Sequence, residues 1–263
     1  MLKGSKVAVV IPIYNEKDTL EHLFYRIDGV YKMLKEDYDI KFIFVNDGST
    51  DNSGEIIEKK YRGASFVDII HHEKNSGYGA GLKTGFRRAL QGGFQYILTV
   101  DADTNYDQFL IPHFIYEFNP AKEDILAGSP WHPECSGANF PFFRYVLSYS
   151  MSRLYQFVLS PECPPLTCYS GCFRLYKREV LEDVKHSGND FLANAEIISR
   201  VLLRGYRVRE LPINVNYRLF GSSKLRKYRM ILRQLKYIYF LLNNKTTLKN
   251  QRPNHPNKPL NTG

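Results

Sequence analysis

The chain has 263 residues, with 43% hydrophobic and 24% charged side chains, which is the composition of a globular protein with a core of ordinary size and excludes a disordered chain. Its net charge of +9 is unevenly spread: residues 211–263 hold eleven Lys or Arg and no Asp or Glu, which leaves 25 basic against 27 acidic side chains in the rest. A near-neutral body with a basic C-terminal quarter suits phosphates, above all an anionic membrane surface. Cys135, Cys163, Cys168 and Cys172 include no C-x-x-C pair, so no zinc site is expected and the usage fits a reducing compartment. No apolar run reaches the length that spans a bilayer, and no signal peptide is visible.

In chain order, Val7–Ile13 reads as a buried strand, and Asp18 with Glu21 opens a helix over 19–35. Ile40–Val45 is a second strand, followed by the polar turn 46–51 and a second helix. Phe66–His72 is a third strand, and the glycine-rich stretch 75–81 opens a helix reaching Gln91. Tyr96–Val100 is a fourth strand ending in Asp101-Ala102-Asp103. Strands alternating with helices predict an α/β fold with an open, mostly parallel sheet flanked by helices. Beyond it come helices over 142–159 and 194–204, and strands over 173–177 and 208–217. A basic amphipathic helix is predicted over 225–242 and a disordered tail over 243–263, leaving 1–224 as the main folded domain.

Ligands of open parallel sheets bind beyond the carboxyl ends of the strands. The unusual polar residues fall there four times: Tyr14-Asn15-Glu16, Asn46-Asp47, His72 to Asn75, and Asp101 to Asp103. Two carboxylates spaced as Asp101 and Asp103 can share one hard cation that keeps its waters and bridges the phosphates of a ligand. Turn and cap acids are the competing explanation, weakened by the shared edge. A dinucleotide fingerprint is missing after the first strand, and no phosphate-binding G-x-x-x-x-G-K-[ST] loop occurs.

The stretches VVIPIYNE (9–16), VNDGSTD (45–51), NSGYGAGLKTG (75–85) and DADTNYD (101–107) resemble the successive signatures of family 2 glycosyltransferases. YSGCFRLYKREVL (169–181) and YRLFGSSKL (217–225) resemble the branch of dolichyl-phosphate mannose synthases and polyprenyl-phosphate sugar transferases. The resemblance covers about residues 5–230 and implies a GT-A type nucleotide-diphospho-sugar transferase fold. By residue, it implies that Pro12, Tyr14 and Glu16 line a nucleotide pocket, that Asp47 reads the base, and that Asp101 and Asp103 hold Mg2+ or Mn2+ on the diphosphate. Arg174, Arg218 and Lys224 would gather phosphate charge, with Ser129 and Arg144 beside the acceptor. Pro130 stands where the family often has Arg, and Cys168 where an acid commonly precedes Gly-x-Phe-Arg.

The resemblance implies an inverting transfer from a GDP- or UDP-hexose, with Asp103, Glu196 and Arg174 as the catalytic set. A polyprenyl phosphate acceptor is already anionic and needs no base; a sugar hydroxyl of a polysaccharide or glycolipid would need Glu196 or Asp190. A catalytically silent binding scaffold is the reading from another class. The expected place is the cytoplasmic membrane face, held peripherally by the basic helix, with room for a membrane partner subunit and no nucleic acid.

Overall fold

The computed structural model describes residues 2–103, 105–135, 142–160, 163–215 and 227–250. Strands β1 (Lys6–Ile13), β2 (Asp39–Asn46), β3 (Val67–His71) and β4 (Tyr96–Thr99) coincide closely with the four apolar runs; β5 (Ile125–Ser129), β6 (Arg174–Lys177) and β7 (Val208–Pro212) follow. They form one sheet in the order β3-β2-β1-β4-β6-β5-β7. Strand β6 is antiparallel to β4 and β5, and the other neighbours run parallel.

Both faces of the sheet are covered, which is why β1 is apolar without alternation. Val7, Val9 and Ile11 point into a core shared with α1 (Leu20–Leu34), α2 (Ser53–Tyr61) and α4 (Leu110–Glu117). Ala8 and Val10 point the other way, toward α3 (Tyr78–Gln91), α5 (Phe142–Leu159), α6 (Arg178–Asp183), α7 (Leu192–Leu203) and α8 (Lys227–Asn250). Helix α3 is drawn close by its small residues: a side chain on Gly85 would collide with Val10, and one on Gly81 would press on Pro12.

Three expectations change. Strand β5 and helices α4 and α6 were not anticipated, and β7 stops at Pro212, five residues before the predicted end. The C-terminal helix continues to Asn250, so residues 243–250 are helix and not tail; 251–263 lie outside the described residues. Its buried side explains the extra length, since Gln234, Tyr237, Ile238 and Leu241 are followed one heptad on by buried Leu248. That stripe packs on α7 and α5, so much of the helix's apolar content seals the core.

Candidate active site

The parallel strands deliver their carboxyl ends to one edge, and the loops that leave them are stitched together there. Asn15 takes a left-handed turn (φ 53°) after β1, its N–H donating to Ser49 Oγ at 2.9 Å and its Oδ1 accepting from Thr50 N at 2.7 Å. Glu16 N donates to Ser53 Oγ at 3.0 Å. Tyr14 and Glu16 are half-buried on this rim, whereas Pro12 is buried beneath α3.

Asp47 follows β2 and is 2% exposed. Its Oδ1 accepts from Ser76 N at 2.9 Å and its Oδ2 from Gly77 N at 2.7 Å, which fixes the entry to α3. His72 Nδ1 lies 2.7 Å from the same Oδ1, to which it donates, and the other ring nitrogen, Nε2, is hydrogen-bonded to the Thr84 hydroxyl at 2.9 Å.

Beyond β4, the Asp101–Asp103 turn is folded about one amide. Buried Gln108 donates Nε2 to the carbonyls of Asp101, at 3.0 Å, and Asp103, at 3.2 Å. Asp103 accepts from Asn105 N at 3.1 Å and Nδ2 at 2.6 Å. The Tyr78 hydroxyl and Cys172 thiol lie close by, and burial first, with Asp101 adding to it, raises both well above their ordinary ionisation. Both therefore stay neutral beside the carboxylates. Among the described residues no three His, Cys, Asp or Glu side chains converge to cage a metal. Two hard oxygen donors on one turn fit the other kind of site, a Mg2+ or Mn2+ that keeps its waters and takes its remaining ligands from phosphates.

The rest of the expected set divides. Ser129 reaches the same edge at the end of β5, but it is fully buried, with Oγ 2.6 Å from Thr167 Oγ1 and accepting from Trp131 N at 3.2 Å. Arg174 is a correction. Its side chain is 1% exposed, and its guanidinium donates to the carbonyls of Asn194 at 2.6 Å and Tyr169 at 2.7 Å, so it braces backbone and does not face phosphate.

Glu196 is a second correction. At 2% exposure it accepts from Ser187 N (3.0 Å), Ser187 Oγ (2.8 Å), Gly188 N (2.8 Å) and Arg200 Nη2 (2.7 Å). Burial pushes its carboxyl up, but the amides of Gly188 and Ser187, the Ser187 hydroxyl and Arg200 together hold it below the ordinary carboxylate range. It clamps the turn 187–190, whose far side docks on α3: Gly79 N donates to Asn189 O at 2.8 Å, and Lys83 Nζ to Ser187 O at 2.9 Å and Asn189 Oδ1 at 2.8 Å. Only glycine fits the α3 side of that joint. A Cβ on Gly77 would strike Asn189 O, and one on Gly79 would strike Gly188 O. The Arg144 side chain, Arg218 and Lys224 lie outside the described residues.

The model of glycosyl transferase family 2 matches residues 8–185, from β1 through the Gly-x-Phe-Arg element. The chain belongs to that family. A dolichol-phosphate mannosyltransferase of Pyrococcus furiosus is 31% identical over 242 residues, 90% of this chain; the chain spans 64% of that relative's length. A polyprenol monophosphomannose synthase of Mycolicibacterium smegmatis is 26% identical over 224 residues, covering 84% of this chain and 81% of that protein. Among solved structures, glucosyl-3-phosphoglycerate synthase of Mycobacterium tuberculosis, in complex with Mn2+, UDP and glucosyl-3-phosphoglycerate, superposes with a TM-score of 0.62 at 15% identity, over 95% of this chain and 82% of that one. A Pyrobaculum calidifontis mannosyltransferase in complex with GDP-Man and Mn2+ gives 0.58 at 15% identity, over 93% and 74%. At these identities the likeness concerns the fold, which is GT-A. Within this family 2 chain, sequence reasoning passed over Gln108 and Tyr78, because a lone Gln or Tyr in a loop or at a helix start carries no pattern.

Proposed function

We propose that this chain transfers a hexose from a nucleotide-diphosphate sugar to polyprenyl phosphate, with inversion, using Mg2+ or Mn2+ held by Asp101 and Asp103. The observation that carries the reading is the Asp101–Asp103 turn at the end of β4, in the crevice that also collects Tyr14, Glu16, Asp47 and His72. Bound there, the cation would neutralise charge on the departing diphosphate. Asp47 and His72 hold the loop against which a base would lie, and Gln108 holds the carboxylate turn in shape.

The acceptor follows from the chemistry left over. Glu196 is committed to the turn 187–190, and a lipid phosphate, already anionic near neutral pH, attacks without a base. Both curated relatives are named for mannosyl transfer to polyprenyl-type phosphates, so GDP-mannose is the first donor to test. Helix α8 supports a place at a membrane surface: Leu232, Leu235, Tyr239 and Leu242 recur on an exposed side beside Lys236. No helix of the described residues is long and apolar enough to cross a membrane. Arg233, one of the basic residues within the predicted helix over 225–242, is engaged with Asp190.

The test is transfer from a panel of UDP- and GDP-sugars to polyprenyl phosphate in detergent, with Mn2+ or Mg2+. Activity with one donor, abolished by chelator and by Asp103→Ala in a folded protein, is expected. Full activity of Asp103→Ala would remove the metal role, and failure with every donor would remove the transferase reading.

A further inference from the structure

We infer that Arg233, on the C-terminal helix, is a positioning residue for the donor site: it holds the Asn189–Phe191 turn whose other side seats the start of α3, where Gly77 meets Asp47. The inference rests on the reading of Asp47 as part of the nucleotide pocket. The buried stripe Gln234, Tyr237, Ile238 and Leu241 fixes the rotation of α8 on α7, and this puts the Arg233 guanidinium on the Asp190 carboxylate. Asp190 braces the approach to α7, its Oδ1 accepting from Leu192 N at 3.0 Å and its carbonyl from Ala193 N at 3.0 Å. On one side of Asp190, Asn189 is tied to α3 through Gly79 N and Lys83. On the other, the Phe191 ring stacks on Tyr78, with centroids 4.3 Å apart and planes within 10°. Tyr78 opens α3, and the residue before it, Gly77, donates its N–H to Asp47 Oδ2 at 2.7 Å.

The path from α8 to Asp47 is thus an ion pair, three consecutive residues, one ring stack and the Gly77–Asp47 hydrogen bond, a contiguous set of contacts and not a matter of nearness alone. The Tyr237 hydroxyl adds a second attachment, lying 3.5 Å from the Glu196 carbonyl at the base of the same turn. The Arg233 side chain is 61% exposed and that of Asp190 30%, so the pair adds little to global stability. Its effect belongs at the site, where the turn has few other holds on its outer side. A coupling between separate sites is commonly fivefold or more; the exposure of this pair puts it at the low end, about fivefold. Linkage is reciprocal, so nucleotide binding should steady the start of α8 by the same factor.

The experiment uses the full chain, three single variants, Arg233→Gln, Arg233→Lys and Asp190→Asn, and the double variant Arg233→Gln with Asp190→Asn. Calorimetry measures binding of GDP and of UDP with Mn2+; hydrogen exchange follows the Leu192 and Ala193 amides without nucleotide; thermal unfolding follows the whole fold. Arg233→Gln should weaken the preferred nucleotide about fivefold, speed exchange at both amides, and move the unfolding midpoint by no more than about 2 °C. Arg233→Lys should restore most of the affinity. Asp190→Asn should match Arg233→Gln, and the double variant should be no worse than either single one. Unchanged affinity in Arg233→Gln, or a loss matched by a large fall in midpoint, overturns the inference while the donor reading stands. A wild type that binds neither nucleotide overturns the donor reading and this inference together.

Discussion

Replacing Glu196 separates two roles that the sequence could not tell apart. The carboxylate is 2% exposed and accepts four hydrogen bonds, two from backbone amides, one from a hydroxyl and one from a guanidinium. Glutamine keeps the shape, but its NH2 must face at least one of those donors, so a backbone N–H is left buried and unpaired and the charge on Arg200 loses its partner. An unpaired buried donor costs about 1–3 kcal/mol, and loss of the charge-assisted bond adds roughly 1 kcal/mol, so Glu196→Gln should destabilise by about 2–4 kcal/mol. Glu196→Ala should cost about 3–5 kcal/mol. Urea unfolding gives these values directly. The pH dependence has a definite sign: the folded carboxyl is held below its unfolded value near 4.5, so its contribution is complete above that pH and is lost as pH falls through the lower, folded value. Under a general-base role, Glu196→Gln would instead unfold like wild type, lose activity a thousandfold or more, and erase the acid limb of the rate profile. Wild-type stability in Glu196→Gln would refute the clamp.

Gly79→Ala should abolish nucleotide binding while the chain still folds with a loss of about 1–3 kcal/mol, because the added methyl meets the Gly188 carbonyl and pushes the turn off α3; calorimetry and thermal unfolding check both halves. At the far edge, burial raises the Asp124 carboxyl, but Arg207 and Lys177 outweigh it and hold it at about 2, so Asp124→Asn should cost about 2 kcal/mol at pH 7 and almost nothing at pH 2. Flotation with vesicles containing anionic lipid should show salt-sensitive binding that falls about tenfold when Leu235 and Tyr239 both become Ser; equal binding to neutral vesicles, or no binding at low salt, would count against the α8 surface.

Strands β1 to β4 were readable because each is a buried apolar run that stops abruptly at polar residues, and that abrupt stop is also what marks the site. Strand β5 was not, since Ile125–Ser129 has only five residues, two of them Gly and Ser, with no apolar flank to lengthen the run. Pro112 hid α4: it sits in the helix's first turn, where a missing N–H costs nothing. The charged residues show a different limit. Asp47, Arg174 and Glu196 all stood out by type and position, yet the first and last cap backbone amides and the second braces carbonyls. A one-dimensional pattern marks a residue as unusual without saying whether it looks outward to a ligand or back into its own chain.

That inward commitment bears on the acceptor. A base for a hydroxyl acceptor must have a lone pair aimed at the incoming proton. Four acids here are committed inward: Asp47 receives Ser76, Gly77 and His72, Glu196 receives Ser187, Gly188 and Arg200, Asp190 is taken by Leu192 and Arg233, and Asp103 receives Asn105. Using any of them as a base would disturb a hold on the backbone, at a cost of the order of 1 kcal/mol where a bond must break. An acceptor that brings its own negative charge avoids that cost. The commitments of these four acids support the proposed phosphate acceptor over a hydroxyl, by an argument independent of the names of the relatives.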